Sequence, residues 1–170
     1  TLAQAYDYTK TIRHAKSLES TNQDLIDSNT NLRLKSKIDE LTSLLNRRGF
    51  MESGQKVISI ATEIDMSGIV FFADLDGLKK INDTYGHAAG DQVLAGIAAR
   101  VLALGNSCLA GRWGGDEYIG VLIKGKNDAA GRLEKLIREV EEATFPGDVH
   151  VTVSVGAALI TEDLDIFRLS

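Results

Sequence analysis

The sequence holds a single cysteine, Cys108, in 170 residues. No internal disulfide can form, so a reducing setting, and with it the cytoplasm, is expected. It lacks any apolar run near the roughly 20 residues that span a bilayer, so no membrane contact is expected. Lys10, Arg13 and Lys16 are not backed by an apolar stretch, so no signal peptide is expected in these residues. A surplus of positive charge is missing too: 19 Lys and Arg stand against 24 Asp and Glu, a net charge of −5. General nucleic-acid binders present a basic face, so a polymeric nucleic-acid partner is not expected. A nucleotide substrate remains compatible, because metal ions can screen its phosphates. A first residue of Thr rather than Met is what a fragment of a longer chain would show. What is present is apolar material for a core, 44% against 25% charged, in a length that suits one domain plus one further element.

The first forty residues contain neither Gly nor Pro and are dominated by polar side chains. Leu18, Leu25 and Leu32 recur at sevenfold spacing, and Tyr8, Ala15, Asn22 and Asn29 form a second row. With the leucines at d, the two asparagines fall at a, where buried Asn fixes register and favours a two-stranded parallel coil. Residues 1–38 are therefore expected to be a helical coiled-coil linker through which two copies pair; a solvated single helix joining two parts is the plainer alternative.

Residues 39–170 read as a globular domain. A helix is predicted over 50–66, with Phe50, Val57, Ile60, Ala61 and Ile64 on one face. Ile69–Ala73 is a short apolar run that reads as a buried central strand. Residues 90–104 carry the stripe Val93, Leu94, Ile97, Ala98, Val101 and Leu102 of another helix. Cys108–Trp113 and Tyr118–Ile123 read as two strands joined by a four-residue hairpin loop, Gly114-Gly115-Asp116-Glu117. A helix over 127–144 and a strand over 149–159 complete the order. This succession predicts an α+β fold, a ferredoxin-like or polymerase-palm-like antiparallel sheet with helices on one face, preceded by a long N-terminal helix.

Two acidic spots stand where such a sheet would hold a site: Asp74-Leu75-Asp76 at the end of the central strand, and Asp116-Glu117 at the hairpin tip. Clustered carboxylates repel one another unless protons or cations intervene. Hard oxygen ligands beside phosphates suit Mg²⁺ or Mn²⁺, and two such ions can serve a nucleotidyl transfer. A strand-end Asp-x-Asp taken alone more often caps the next helix; the second acidic cluster on a Gly-Gly turn favours metal binding. Gly114 and Gly115 suit a tight turn and also let a substrate approach the backbone. Gly77-Leu78-Lys79-Lys80-Ile81 would open a helix whose free N–H groups suit phosphate oxygens, with Lys79 placed to neutralise charge. Asn82 and Asp91 offer the donor and acceptor set that matches the edge of guanine. Each of these residues, and His87 above all, has turn or capping duty as its plainer role.

Taken together, Asp39-Glu40-Leu41-Thr42 and Asn46-Arg47-Arg48, Asp74-Leu75-Asp76 through Gly90-Asp91, Arg112-Trp113-Gly114-Gly115-Asp116-Glu117-Tyr118 and Val153-Ser154-Val155-Gly156 resemble the GGDEF family of diguanylate cyclases over about residues 38–160. The resemblance implies condensation of two GTP into cyclic di-GMP with release of two pyrophosphates, each of two facing subunits holding one GTP. It implies metal ligation, two Mg²⁺ or Mn²⁺ ions per GTP, by Asp74, Asp116, Glu117 and the backbone carbonyl of Leu75. It implies help from Asp116 in deprotonating the 3′-hydroxyl, phosphate stabilisation by Lys79, guanine reading by Asn82 and Asp91, and a substrate contact at His87. An upstream sensor domain is implied in the full-length protein.

The chain departs from the family pattern at four places. Tyr118 stands where the signature ends in Phe, a change that keeps an aromatic ring in the core. Gly77 and Leu78 replace the usual basic or His and aromatic residues beside Lys79, where backbone contacts matter. Gly105 and Cys108 occupy the positions of the inhibitory Arg-x-x-Asp tetrad, and neither can grip a guanine or a phosphate as Arg and Asp do. Finally, the sequence ends at Phe167-Arg168-Leu169-Ser170, where the family continues with a helix and a hairpin, so the C-terminal helix is expected to be truncated. The alternative reading is a catalytically silent domain acting as a receptor for GTP or cyclic di-GMP. An enzyme making an adenine-containing cyclic dinucleotide is a further option, disfavoured by Asp91.

Overall fold

The computed structural model describes residues 37–161, together with positions 12, 13, 16 and 18–23. The chain divides into two units, residues 1–36 and 37–170. In the first, residues 18–23 are helical, and Leu18 and Asn22 are both exposed in the single chain. The other members of the two rows, Tyr8, Ala15, Leu25, Asn29 and Leu32, lie outside the described residues.

The second unit is built on a five-stranded sheet in the order β1-β3-β4-β2-β5: β1 Leu45–Asn46, β2 Gly68–Leu75, β3 Cys108–Gly114, β4 Glu117–Ile123 and β5 Val153–Leu159. Four helices intervene: α1 Arg47–Glu63, α2 Leu78–Tyr85, α3 His87–Leu102 and α4 Lys126–Glu141. β2 is central, antiparallel to β4 on one side and to β5 on the other. The expected palm-like α+β architecture is present. The sheet is mixed rather than wholly antiparallel, because the two-residue β1 runs parallel to β3.

Helices cover both faces, not one. The reason is legible in β2, which is apolar on both sides. Ile69, Phe71, Ala73 and Leu75 point toward α3 and α4, where Val93, Leu94, Ile97, Leu133 and Leu136 complete the larger core. Val70 points the other way and joins Phe50 and Ile58 of α1, with Ile119 and Val121 of β4. Burial of each such side chain contributes about 1.5–3 kcal/mol, so both faces need cover.

Helix α1 starts earlier than residue 50, at Arg47, because the Asn46 side chain caps it, accepting from Gly49 N–H at 2.9 Å. Its inner face is Phe50, Gly54, Ile58 and Ala61; Ile60 and Ile64 of the predicted face are more than half exposed. The last strand is shorter than 149–159, since its ladder with β2 ends at Leu75↔Val153, where β2 turns away into Asp76 and Gly77. Val149 and Val151 are nonetheless buried.

Candidate active site

The central strand ends in Asp74, whose direct cross-strand partners are Glu117 of β4 and Ser154 of β5. Directly opposed residues in antiparallel strands project from the same face, so the Asp74 and Glu117 carboxylates share the face covered elsewhere by α1. Asp116 precedes Glu117 on the turn, and its carbonyl accepts from the Leu75 amide at 3.1 Å. Burial raises the pKa of Asp74, and the negative charges of Asp116, Glu117 and Asp76 raise it further. Among the described residues no Lys or Arg forms an ion pair with Asp74, Asp116 or Glu117, and Lys79 is exposed in the first turn of α2.

The hairpin is tighter than expected. Gly114 and Glu117 are paired, leaving a two-residue turn, Gly115-Asp116, rather than a four-residue loop. Gly115 has φ of 41°, the positive value that a primed hairpin turn asks of its first central residue. Trp113 is the extra residue of a bulge between Arg112 and Gly114. Its ring meets Phe72 edge-on at 5.7 Å, and the Arg47 guanidinium lies 4.5 Å from its centre. Arg112 clasps the turn from behind, donating from Nε and Nη2 to the Gly115 carbonyl at 3.0 and 2.7 Å. Its Nη1 lies 3.4 Å from Asp39. Burial works to raise the pKa of Asp39, but hydrogen bonds from Thr42 and the Arg112 charge outweigh it and leave it lowered.

Beside the carboxylates lies a hollow of about 380 Å³, lined by Phe72, Ala73, Asp74, Glu117, Ser154, Val155 and Gly156. Asp76 does not join it. Its two oxygens accept from the hydroxyls of Thr152 at 2.7 Å and Ser154 at 3.0 Å, which ties the strand end to β5. Nor does Asp76 cap α2: that place is taken by Gly77 in the left-handed region, with φ of 77° and no side-chain cap. Asn82 lies in α2, half-buried, and its side chain abuts Gly90 of α3, the residue before Asp91. His87 opens α3 and is exposed. Gly105 lies in the turn after α3, with φ of 82°. Cys108 opens β3, its thiol pKa pushed up to about 12 by burial, so neither offers a charge.

Among the described residues no three His, Cys, Asp or Glu side chains form a ready-made metal cage. Mg²⁺ does not need one, since it keeps waters and binds through one or two carboxylates plus substrate phosphates. Two opposed carboxylates without a cationic partner among the described residues, with a third on the adjoining turn, are a donor set that fits it.

Sequence reasoning missed the Arg112 clasp, the hydroxyl ties of Asp76 and the hydroxyl of Tyr118. The first had a signal in an Arg three residues before a turn glycine, and the second in Thr152 and Ser154 alternating with the valines. Tyr118 is wholly buried in the larger core, and its OH donates to the Leu94 carbonyl of α3 at 2.8 Å.

Residues 36–168 match the family model for the diguanylate cyclase GGDEF domain. Diguanylate cyclase DgcP of Escherichia coli is 32% identical over 149 residues, 86% of this chain and 43% of that one. Diguanylate cyclase TpbB of Pseudomonas aeruginosa is 36% identical over 154 residues, 87% and 35% of the respective chains. The chain thus spans roughly two-fifths of the length of these curated relatives. Among solved structures, the coiled coil and GGDEF domain of DgcB from Caulobacter crescentus, in complex with c-di-GMP, aligns over 92% of this chain and 85% of that one. Its TM-score is 0.79 and its identity 26%. With the family model matched across most of its length and such relatives beside it, the chain belongs to the GGDEF diguanylate cyclase family.

Proposed function

We propose that the chain is an active diguanylate cyclase domain, condensing two GTP into cyclic di-GMP at the face between two copies. The observation that carries this reading is the opposed Asp74–Glu117 pair beside Asp116 on a glycine turn, free of any basic partner among the described residues. In each half-reaction the 3′-hydroxyl of one GTP attacks the α-phosphorus of the other. A P–O bond to pyrophosphate breaks as the new phosphodiester forms, and the hydroxyl proton leaves toward the Asp116 carboxylate. Asp74, Asp116, Glu117 and the Leu75 carbonyl would hold two Mg²⁺ or Mn²⁺ ions, which supply charge stabilisation to the attacking and leaving oxygens. Lys79 neutralises phosphate charge. Asn82 and Asp91 read guanine, and His87 touches the substrate. Gly77, Leu78, Gly114 and Gly115 let it lie close to the backbone. GTP is the substrate partner, a second copy is the catalytic partner through the N-terminal helix, and an upstream sensor sets how the halves meet. The expected setting is the cytoplasm; among the described residues no helix is long and apolar enough to cross a membrane.

Product does not inhibit through the usual tetrad, because Gly105 and Cys108 replace its charged residues. One experiment covers both points. The purified chain is incubated with GTP and Mg²⁺ beside an Asp116→Ala variant, with and without added cyclic di-GMP, and products are identified by mass spectrometry. The expected result is cyclic di-GMP from the parent alone, at a rate that added product leaves unchanged. GTP binding without turnover would make the domain a receptor, and inhibition at micromolar product would overturn the second point.

A further inference from the structure

Gly90 lies in the first turn of α3, buried, at a position where a helix interior favours Ala over Gly. Its φ is not among the positive ones, so the backbone does not ask for glycine there. Space does. A Cβ placed on Gly90 would run into Oδ1 of Asn82, and would stand 3.1 Å from Asn82 Cγ and from Leu78 Cδ1. The obstacle is the end of a side chain rather than backbone, so a methyl group would be accommodated by turning the Asn82 amide away. That amide makes no hydrogen bond to any described residue, so nothing within this unit holds it except the room it occupies. Gly131 of α4 is the contrasting case: it is exposed, and a Cβ there meets nothing within 4 Å.

We propose that Gly90 is a positioning residue for base recognition: its missing side chain holds open the place where the Asn82 amide stands, against the residue that precedes Asp91. This rests on the reading of Asn82 and Asp91 as the guanine readers. A larger residue at 90 would leave the fold intact and the acids in place, yet blunt the choice of base.

The test measures binding by calorimetry, using the α,β-methylene analogues of GTP and ATP, in which transfer is blocked, with Mg²⁺. Four variants are compared with the parent: Asn82→Ala, Gly90→Ala, the double variant, and Gly131→Ala as the control for added helix propensity. Gly90→Ala is expected to weaken the guanine analogue about tenfold and to narrow its advantage over the adenine analogue, as Asn82→Ala does. The double variant is expected to bind no worse than Asn82→Ala, because both changes remove the same contact. Gly90→Ala and Gly131→Ala should melt no lower than the parent, with Gly131→Ala binding unchanged. If Asn82→Ala weakens binding while Gly90→Ala does not, or if the two effects add, the positioning role is overturned and the guanine reading stands. A Gly90→Ala melting point several degrees down overturns it too, since the methyl group is then not accommodated by the amide. If Asn82→Ala binds as the parent does, the guanine reading itself fails and this inference with it.

Discussion

Asp74 is held against its own preference. Burial and three neighbouring carboxylates raise its pKa, so the folded chain binds its proton more tightly than the unfolded chain does. Stability therefore falls as pH rises through the interval above the ordinary carboxylate value. Asp74→Asn should then melt no lower than the parent near neutral pH without metal, and the difference should close as the medium is acidified. Added Mg²⁺ should raise the parent's melting point more than the variant's, because only the intact cluster gains a counterion on folding. The same substitution should lower activity about a hundredfold or more. Thermal melts across pH, with and without Mg²⁺, check the first two statements, and product formation from GTP checks the third. The acids of this cluster were legible from their placement at a strand end and a glycine turn. That Asp76 engages its oxygens with hydroxyls of β5 and its approach was not, because Thr152 and Ser154 lie nearly eighty residues away.

Elements here are tied by single polar contacts placed inside apolar surroundings. The Tyr118 hydroxyl joins β4 to α3 at the Leu94 carbonyl, and burial raises the pKa of the phenol. Tyr118→Phe keeps the ring but leaves that carbonyl without its side-chain donor, at a cost of about 1 kcal/mol. A melting point about 3–6 °C lower is expected, with GTP turnover at a permissive temperature within about twofold of the parent. Sequence patterning found the elements themselves, since the period of two in β5 and the helical stripe of α3 are strong. It misjudged α1, where Ile60 and Ile64 fit an apolar face but the helix packs on the sheet through Phe50, Gly54, Ile58 and Ala61 instead. It also missed the second covered face of the sheet, although Val70 and Phe72 alternating with Ile69 and Phe71 state it.

At the scale of the whole molecule, the division of the chain into two units falls after residue 36, shortly before Asp39, which engages Arg112 and through it the signature turn. Replacing Asn22 and Asn29 together by Ile should shift the oligomeric state and, with it, cyclic di-GMP formation, because polar a positions favour two strands over larger assemblies. Sedimentation equilibrium beside the activity assay decides this; an unchanged assembly with unchanged activity would remove the coil from the account. The bulge that carries Trp113 has a further consequence. The chain's only indole stands one residue from the signature turn, between a guanidinium and a second aromatic ring. Its emission colour therefore reports on the charge and wetness of that corner, and the protein carries its own unlabelled optical gauge of what arrives there.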